Sequence, residues 1–459
     1  MSHDTEWKPC VSSPQPTQQQ VLKVVQQQSQ ALSVSARGKV GRPSELPWMQ
    51  LCLGVVFCVF NRWSSQLDLR RVLCCEGFWE WPAVGLLCDQ AIYNRLARAG
   101  LPMQRLFEQV SQSLRSRLCP WQDRRVAPFA HQVLALDESI LDELKGWLPL
   151  CRVPAGQKVP LAGRISALFD VRLQQWVRVD VLQDAQANCK VHARAMLEQV
   201  ERGALVLFDR GYFAFAWLDE LTERGLFWVS RYSNDASYRI RHICYQGDGI
   251  LDAIVELGVY RSDQTRMVVR LVQFWLKGKQ YRYLTNVCDP LTLPLAEVAR
   301  LYRRRWDIEL AFRLLKDHLQ FRLLWSARWP VIQVQLWAAL LLGQIFHGLQ
   351  QEIAHQAGVE PEEVSIALLV RMAPGWYQRR IDPVEHSLRL GRELGIIRPS
   401  SRTRWVLPLV DPASVTSPPP EALQPRTHAR HAHRKGGPRC PSAGATNPLR
   451  PPLPLKEAF

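Results

Sequence analysis

The chain lacks a Cys-x-x-Cys pair, a basic-then-apolar stretch near residue 1, and an uninterrupted apolar run of bilayer length. Each absence removes a class of protein. Its twelve cysteines are scattered, with Cys74 and Cys75 the one adjacent pair. That pattern is neither zinc-ligand spacing nor a small disulfide scaffold, and it fits a reducing compartment. MSHDTEWKPC has no secretory-signal character. LCLGVVFCVF (51–60) is too short to cross a membrane, and Gln333, Gln335 and Gln344 interrupt VIQVQLWAALLLGQIF (331–346). Both runs read as buried helices, so the expectation is a soluble intracellular protein with no membrane partner.

Acidic residues are also in deficit. Forty-two Asp and Glu face 58 Lys and Arg, a formal charge of +16 with a pI near 9.5. Residues 401–459 hold nine cations and three acids, so +6 lies there and +10 in the rest of the chain. A surplus spread this widely points to a polyanionic partner, nucleic acid first. At 459 residues, 47% of them apolar, the chain can bury a sizeable core in two or three domains.

Residues 1–36 are rich in Gln and Ser and read as a disordered leader. RGKVGRPS (37–44) is close to an Arg-Gly-Arg-Pro minor-groove core, but Val40 stands where the first Arg belongs. A basic lead-in to a helix is the better reading. From Leu46 to Leu118 apolar residues recur at helical spacing, giving four or five helices in an N-terminal DNA-binding or accessory domain, 37–125. AIYNRLARAG (91–100) suits either a groove-entering helix or a bundle helix.

After Pro128 the period shortens. QVLALDES (132–139), the two halves of GRISALFDVRLQQWVRVDVL (163–182) and ALVLFDRGYF (204–213) read as strands, with a helix at 186–200. Asp137 and Asp209 are expected just past strand ends, where open α/β sheets bind ligands. Residues 224–287 alternate apolar and polar and read as a β-rich insertion within a domain at 126–349. A helical region at 350–400 follows, then a disordered Pro-rich basic tail, 401–459.

LYRRRWDIELAFRLLKDHL (301–319) reads as one helix. At 100° per residue, Leu301, Ile308, Phe312, Leu315 and Leu319 fall within about 40° of one line, an apolar stripe for a core. Tyr302, Arg305, Glu309 and Lys316 cluster roughly 70° away. One reading is a solvated face with Arg305–Glu309 and Glu309–Arg313 pairs. The other is a carboxylate flanked by cations that would hold metal and phosphate. Asp137 and Asp209 have plain alternatives too, as a helix N-cap and a turn residue. The combination favours chemistry. Three carboxylates supply hard oxygens for Mg²⁺ or Mn²⁺, and two such ions serve phosphoryl transfer. Arg305 and Lys316 suit phosphates; Tyr302 suits a phosphate hydrogen bond or ring packing.

DRGY (209–212) and the spaced set Tyr302, Arg305, Glu309 and Lys316 resemble the DDE transposases of insertion-sequence-4 type. Asp137-Glu138-Ser139 agrees with the setting of the first acid in that family. The resemblance covers roughly residues 37–380. It implies an RNase H-like mixed sheet with flanking helices, in which Asp137, Asp209 and Glu309 bind two Mg²⁺ or Mn²⁺ ions. Tyr302, Arg305, Lys316 and Arg210 are then expected on DNA, with Tyr281 as the aromatic that assists a hairpin step; Tyr283 and Trp275 are alternatives. The implied activity is cut-and-paste transposition. A homodimer on double-stranded DNA would cleave the inverted-repeat ends and transfer the 3′-hydroxyl strand, in the bacterial cytosol beside the nucleoid. A catalytically silent DNA-binding derivative and an RNase H-like nuclease without strand transfer are the competing expectations.

Overall fold

The computed structural model describes residues 17, 21, 23–27, 46–63, 65–79, 81–141, 163–184, 189–232, 236–259, 263–319, 321–403 and 410–427. Most of the leader, RGKVGRPS (37–44) and HARHAHRK (428–435) lie outside them. Helices α1 (Trp48–Phe60), α2 (Gln66–Arg71), α3 (Asp89–Leu96) and α4 (Gly100–Leu118) come first. Strands β1 (Val133–Ile140), β2 (Arg164–Asp170) and β3 (Gln175–Leu182) precede α5 (Cys189–Leu197) and β4 (Leu205–Phe208). Then come α6 (Phe215–Glu223), β5 (Phe227–Arg231), β6 (Tyr238–Gly247), β7 (Ile250–Leu257), β8 (Val269–Leu276) and β9 (Lys279–Thr285). The last helices are α7 (Leu295–Arg304), α8 (Trp306–Arg313), α9 (Trp329–Ala357), α10 (Ile366–Gln378) and α11 (Pro383–Leu390). The class is mixed α/β, with the β-rich block where alternation placed it.

Two compact units form: Met1–Tyr212 with Arg300–Leu407, and Phe213–Ala299 with Pro408–Phe459. The expected boundaries near residues 125 and 349 do not separate these units. In unit 1, α9 is apolar on nearly all sides, and α1, α4 and β3 all pack on it. A helix buried all round must be wrapped by others, which draws the N-terminal helices into one core. Pro330 sits in its first turn, and Gly358 ends it in the left-handed region at φ 64°. α9 is long and apolar enough to cross a membrane, yet 78% of its most apolar stretch is buried in the protein. Its glutamines are stitches. Gln344 Oε1 accepts from the Trp176 amide at 2.8 Å and its Nε2 donates to the Trp176 carbonyl at 3.1 Å. Gln335 does the same for the Trp325 amide and the Leu323 carbonyl, at 3.1 and 2.7 Å.

His347 on α9 is 4% exposed, with its ring 5.4 Å from that of Phe169. Burial pushes its pKa down to about 4, against smaller opposing effects of Gln350 and Asp307. The unfolded chain therefore takes up a proton near pH 6.5 that the folded chain refuses until about pH 4. Stability from this group is complete above the unfolded value and falls as pH drops through that window, by up to ~3 kcal/mol. His347→Leu should flatten that part of the stability–pH curve in urea titrations. An unchanged slope would refute the assignment.

The unit 1 sheet runs β3-β2-β1-β4, antiparallel except for the parallel pair β1 and β4. The β2–β3 hairpin turns where expected, because Asp170 Oδ1 accepts the amides of Arg172 and Leu173, each at 2.9 Å. Part of the leader is anchored rather than disordered. Thr17 is fully buried, and its amide and hydroxyl donate to Glu352 at 3.2 and 2.6 Å.

The unit 2 sheet runs β5-β9-β8-β7-β6, every neighbouring pair antiparallel. Its centre holds a buried ion pair, Arg270 to Asp252, with contacts of 2.6 and 2.7 Å. Residues 410–427 correct the expectation of a tail disordered from 401. The Thr416 amide donates to the Cys244 carbonyl at 2.9 Å, Ser417 bonds Asp289 at 3.0 Å, and Arg426 bonds Glu256 at 2.9 Å. Composition misled here because proline-rich chain, already extended, loses little entropy on docking against a sheet.

Candidate active site

The site grows out of the β1–β4 register. Leu136 stands opposite Phe208, the last residue of β4. The next residue along each parallel strand is an acid, Asp137 and Asp209, so the two lie side by side. β1 does not end there. It continues to Ile140 because Asp137 to Ile140 stay paired with β2, which corrects the expectation that Asp137 lies past a strand end. The pleat and the end of β4 together change β1 from buried to partly exposed at Asp137.

The 301–319 segment is not one helix. It passes from α7 through a turn at Arg305 into α8, then into a π-helical turn, Leu314–His318. The apolar stripe survives the break: Leu301, Ile308, Phe312, Leu315 and Leu319 are each at most 5% exposed. α8 packs on β1 and β2, which carries Glu309 to the acids. Arg305 joins them, with Nη1 donating to Asp137 Oδ2 at 3.2 Å and Nη2 to Glu309 Oε1 at 2.5 Å. The Tyr302 hydroxyl donates to Asp209 Oδ1 at 3.2 Å. Five residues from three elements and two connecting turns thus meet at one place.

Burial pushes the Asp137 carboxyl up to about 6. Arg305 and the Glu138 amide, which donates to Asp137 at 2.8 Å, pull it down, while the charges of Glu309 and Asp209 push it up. The charges of Glu309 and Asp209 thus raise the cost of ionising Asp137, as expected where carboxylates are gathered for a cation. Their hard oxygens fit Mg²⁺ or Mn²⁺ in kind. Among the described residues, however, no three Asp, Glu, His or Cys side chains stand close enough to hold a metal ion as they are. A guanidinium occupies the space between Asp137 and Glu309.

The other expected residues have the following surroundings. Lys316 Nζ donates to the Ile140 carbonyl at 2.6 Å, at the end of β1. Arg210 is exposed, beside Asp209. Tyr281 belongs to unit 2, its ring stacked on Phe274 with centroids 5.5 Å apart and planes at 16°. Two residues were not singled out from sequence. Trp306 is 50% exposed, with the Arg305 guanidinium 5.5 Å from its ring. Asp307 is buried and bonded to Arg304, Arg402 and Gln174. An aromatic directly after RRR was the available signal for Trp306; Asp307 gave none.

An acid within β1, an acid just past β4 and a helix glutamate, with an arginine among them, form a carboxylate cluster. Residues 148–342 match the model of the transposase DDE domain. The match takes in Asp209 and the whole Tyr302-to-Lys316 set and begins after Asp137. Two curated relatives are distant homologues. One is "Putative transposase y4zB" of Sinorhizobium fredii (strain NBRC 101917 / NGR234), 29% identical over 167 residues, 35% of this chain and 46% of the relative. The other is the transposase InsG for insertion sequence element IS4 of Escherichia coli (strain K12), 29% identical over 190 residues, 38% and 41%. The alignments thus span less than half of either relative. A cryo-EM structure of the piggyBac transposase synaptic complex with hairpin DNA aligns over 86% of this chain and 85% of that one. Its TM-score is 0.40 and its identity 10%, too remote to carry weight.

Proposed function

We propose that this protein is a cut-and-paste transposase with an RNase H-like core. It cleaves both inverted-repeat ends of an element and joins the freed 3′-hydroxyls to target DNA, as at least a dimer in the bacterial cytosol. One observation carries the reading: the β1–β4 register sets Asp137 and Asp209 side by side, and Arg305 ties Glu309 to Asp137. The surplus of +16 supports a DNA partner, as do the names of the distant relatives.

Asp137, Asp209 and Glu309 would hold divalent ions through hard oxygen donors. Such ions would supply activation of an attacking oxygen and stabilisation of the leaving one. The chain's own groups supply the rest. Arg305, a planar double donor, can exchange a carboxylate for the phosphate beside the scissile bond. The Tyr302 hydroxyl holds Asp209 in place at 3.2 Å. Packing of the apolar stripe fixes the backbone of α8 against β1 and β2.

The test is incubation with Mg²⁺ and linear DNA carrying the element's own inverted repeats. Double-strand cleavage with joined product is the expected result. Binding without cleavage would instead identify a silent derivative, and cleavage without joining a nuclease.

A further inference from the structure

We propose that Arg305 is an internal counter-ion that holds the space between Asp137 and Glu309 when no metal is bound. It must let go for a divalent ion to enter, so metal binding and DNA phosphate binding help each other. The inference rests on the reading of Asp137, Asp209 and Glu309 as ligands, and it adds to that reading the coupling of Arg305 release to metal entry.

Geometry carries it. The Arg305 side chain is 5% exposed, and its two terminal nitrogens are spent on the two carboxylates, at 3.2 and 2.5 Å. Its guanidinium lies 5.6 Å from the Tyr302 ring and 5.5 Å from the Trp306 ring, so two aromatic faces hold it in the gap. Its buried Nε has no hydrogen-bond partner among the described residues. Gathered carboxylates need positive charge, and here a cation of the chain's own provides it; among the described residues no acid cluster is open to metal. Arginine cannot shed its charge to make way. It can leave only by taking another anion, and a phosphodiester offers the same bidentate match as a carboxylate. Once phosphate holds the guanidinium, Asp137 and Glu309 are left short of a counter-ion, and a divalent cation is favoured. Linkage makes the effect reciprocal.

Mn²⁺ binding to the full chain, followed by the electron paramagnetic resonance of free Mn²⁺, tests this without any turnover. Arg305→Met keeps the bulk and removes the charge. Without DNA it should bind Mn²⁺ about tenfold more tightly than wild type. A short duplex, after subtraction of ion held by the duplex alone, should tighten wild type by a similar factor and leave Arg305→Met unchanged. Arg313→Met removes an equal charge from an exposed position about two turns further on, at the end of α8, and should shift affinity by less than about twofold, since exposed charges are well screened. Wild-type affinity in Arg305→Met, or an equal gain in Arg313→Met, would overturn the proposal. If Arg305→Met melts well below wild type, Arg305→Lys replaces it: one ammonium cannot bridge both acids, so an intermediate affinity supports the idea and a wild-type value sinks it. Glu309→Gln separates the two layers. Unaltered Mn²⁺ binding there defeats the ligand reading itself, whereas lost binding there with no gain in Arg305→Met defeats the counter-ion alone.

Discussion

Asp307→Ala should destabilise unit 1 by about 3–5 kcal/mol, the cost of breaking the ion pairs around a buried carboxylate. The Asp307 carboxylate is completely buried and takes bonds from Arg304 at 2.8 Å, from Gln174 at 2.7 Å and from Arg402. Arg304 would keep Glu362 at 3.3 Å and the Val171 carbonyl at 2.9 Å, but Arg402 would face an apolar methyl. Asp307→Asn, which keeps the shape, should cost less. Burial pushes the Asp307 carboxyl up, yet Arg304 and Arg402 outweigh it and hold it below the usual carboxylate range. An acid with a depressed folded value contributes above its unfolded pKa of about 3.9 and stops contributing as pH falls through the folded one. The gap between wild type and Asp307→Asn should therefore be full near neutrality and close in acid. Urea unfolding at several pH values measures it. A neutral-pH difference under about 1 kcal/mol for Asp307→Ala would show that the cluster is not the anchor it looks like. The consequence reaches function, because Asp307 pins the first turn of α8 and so sets where Arg305 and Glu309 stand.

Local signals in the chain were enough for much of this. Short apolar runs found strands of unit 1 and alternation those of unit 2, and the stripe of Leu301, Ile308, Phe312, Leu315 and Leu319 is buried as its spacing predicts. The three acids were visible because each sits at a change of pattern: β1 loses burial at Asp137, an apolar run stops at Asp209, and Glu309 flanks the stripe. What escaped depends on partners distant in sequence. Asp307 is buried only because Arg402 and Gln174, 95 and 133 residues away, come to meet it. Nothing in 301–319 marks the turn at Arg305, since every residue there tolerates a helix. The docked segment at 410–427 reads as solvent-loving until the carbonyl of Cys244 and the carboxylate of Glu256 are seen beside it. Periodicity reports which face is wet; it is silent on which charge finds which.

Glu309→Gln should abolish cleavage, by on the order of 10³-fold or more, while leaving DNA binding within a small factor of wild type. The amide is nearly isosteric, and the Glu309 side chain is 33% exposed, so the fold has little reason to change. One bond is at risk, the 2.5 Å contact from Arg305, but an amide oxygen still accepts it, more weakly than a carboxylate does. What is lost is one negative charge of three at the place where Asp137 already feels both of the others. Asp137 is then expected to ionise more readily, so its neutralisation cannot be the cause of a lost activity. A binding site built on phosphate contacts is spared, because those contacts depend on cations that this change does not touch. Gel-shift binding and strand-cleavage assays on the same preparation decide it. A Glu309→Gln protein that still cuts removes Glu309 from the site, and one that no longer binds shows that the carboxylate shapes the DNA surface rather than the chemistry.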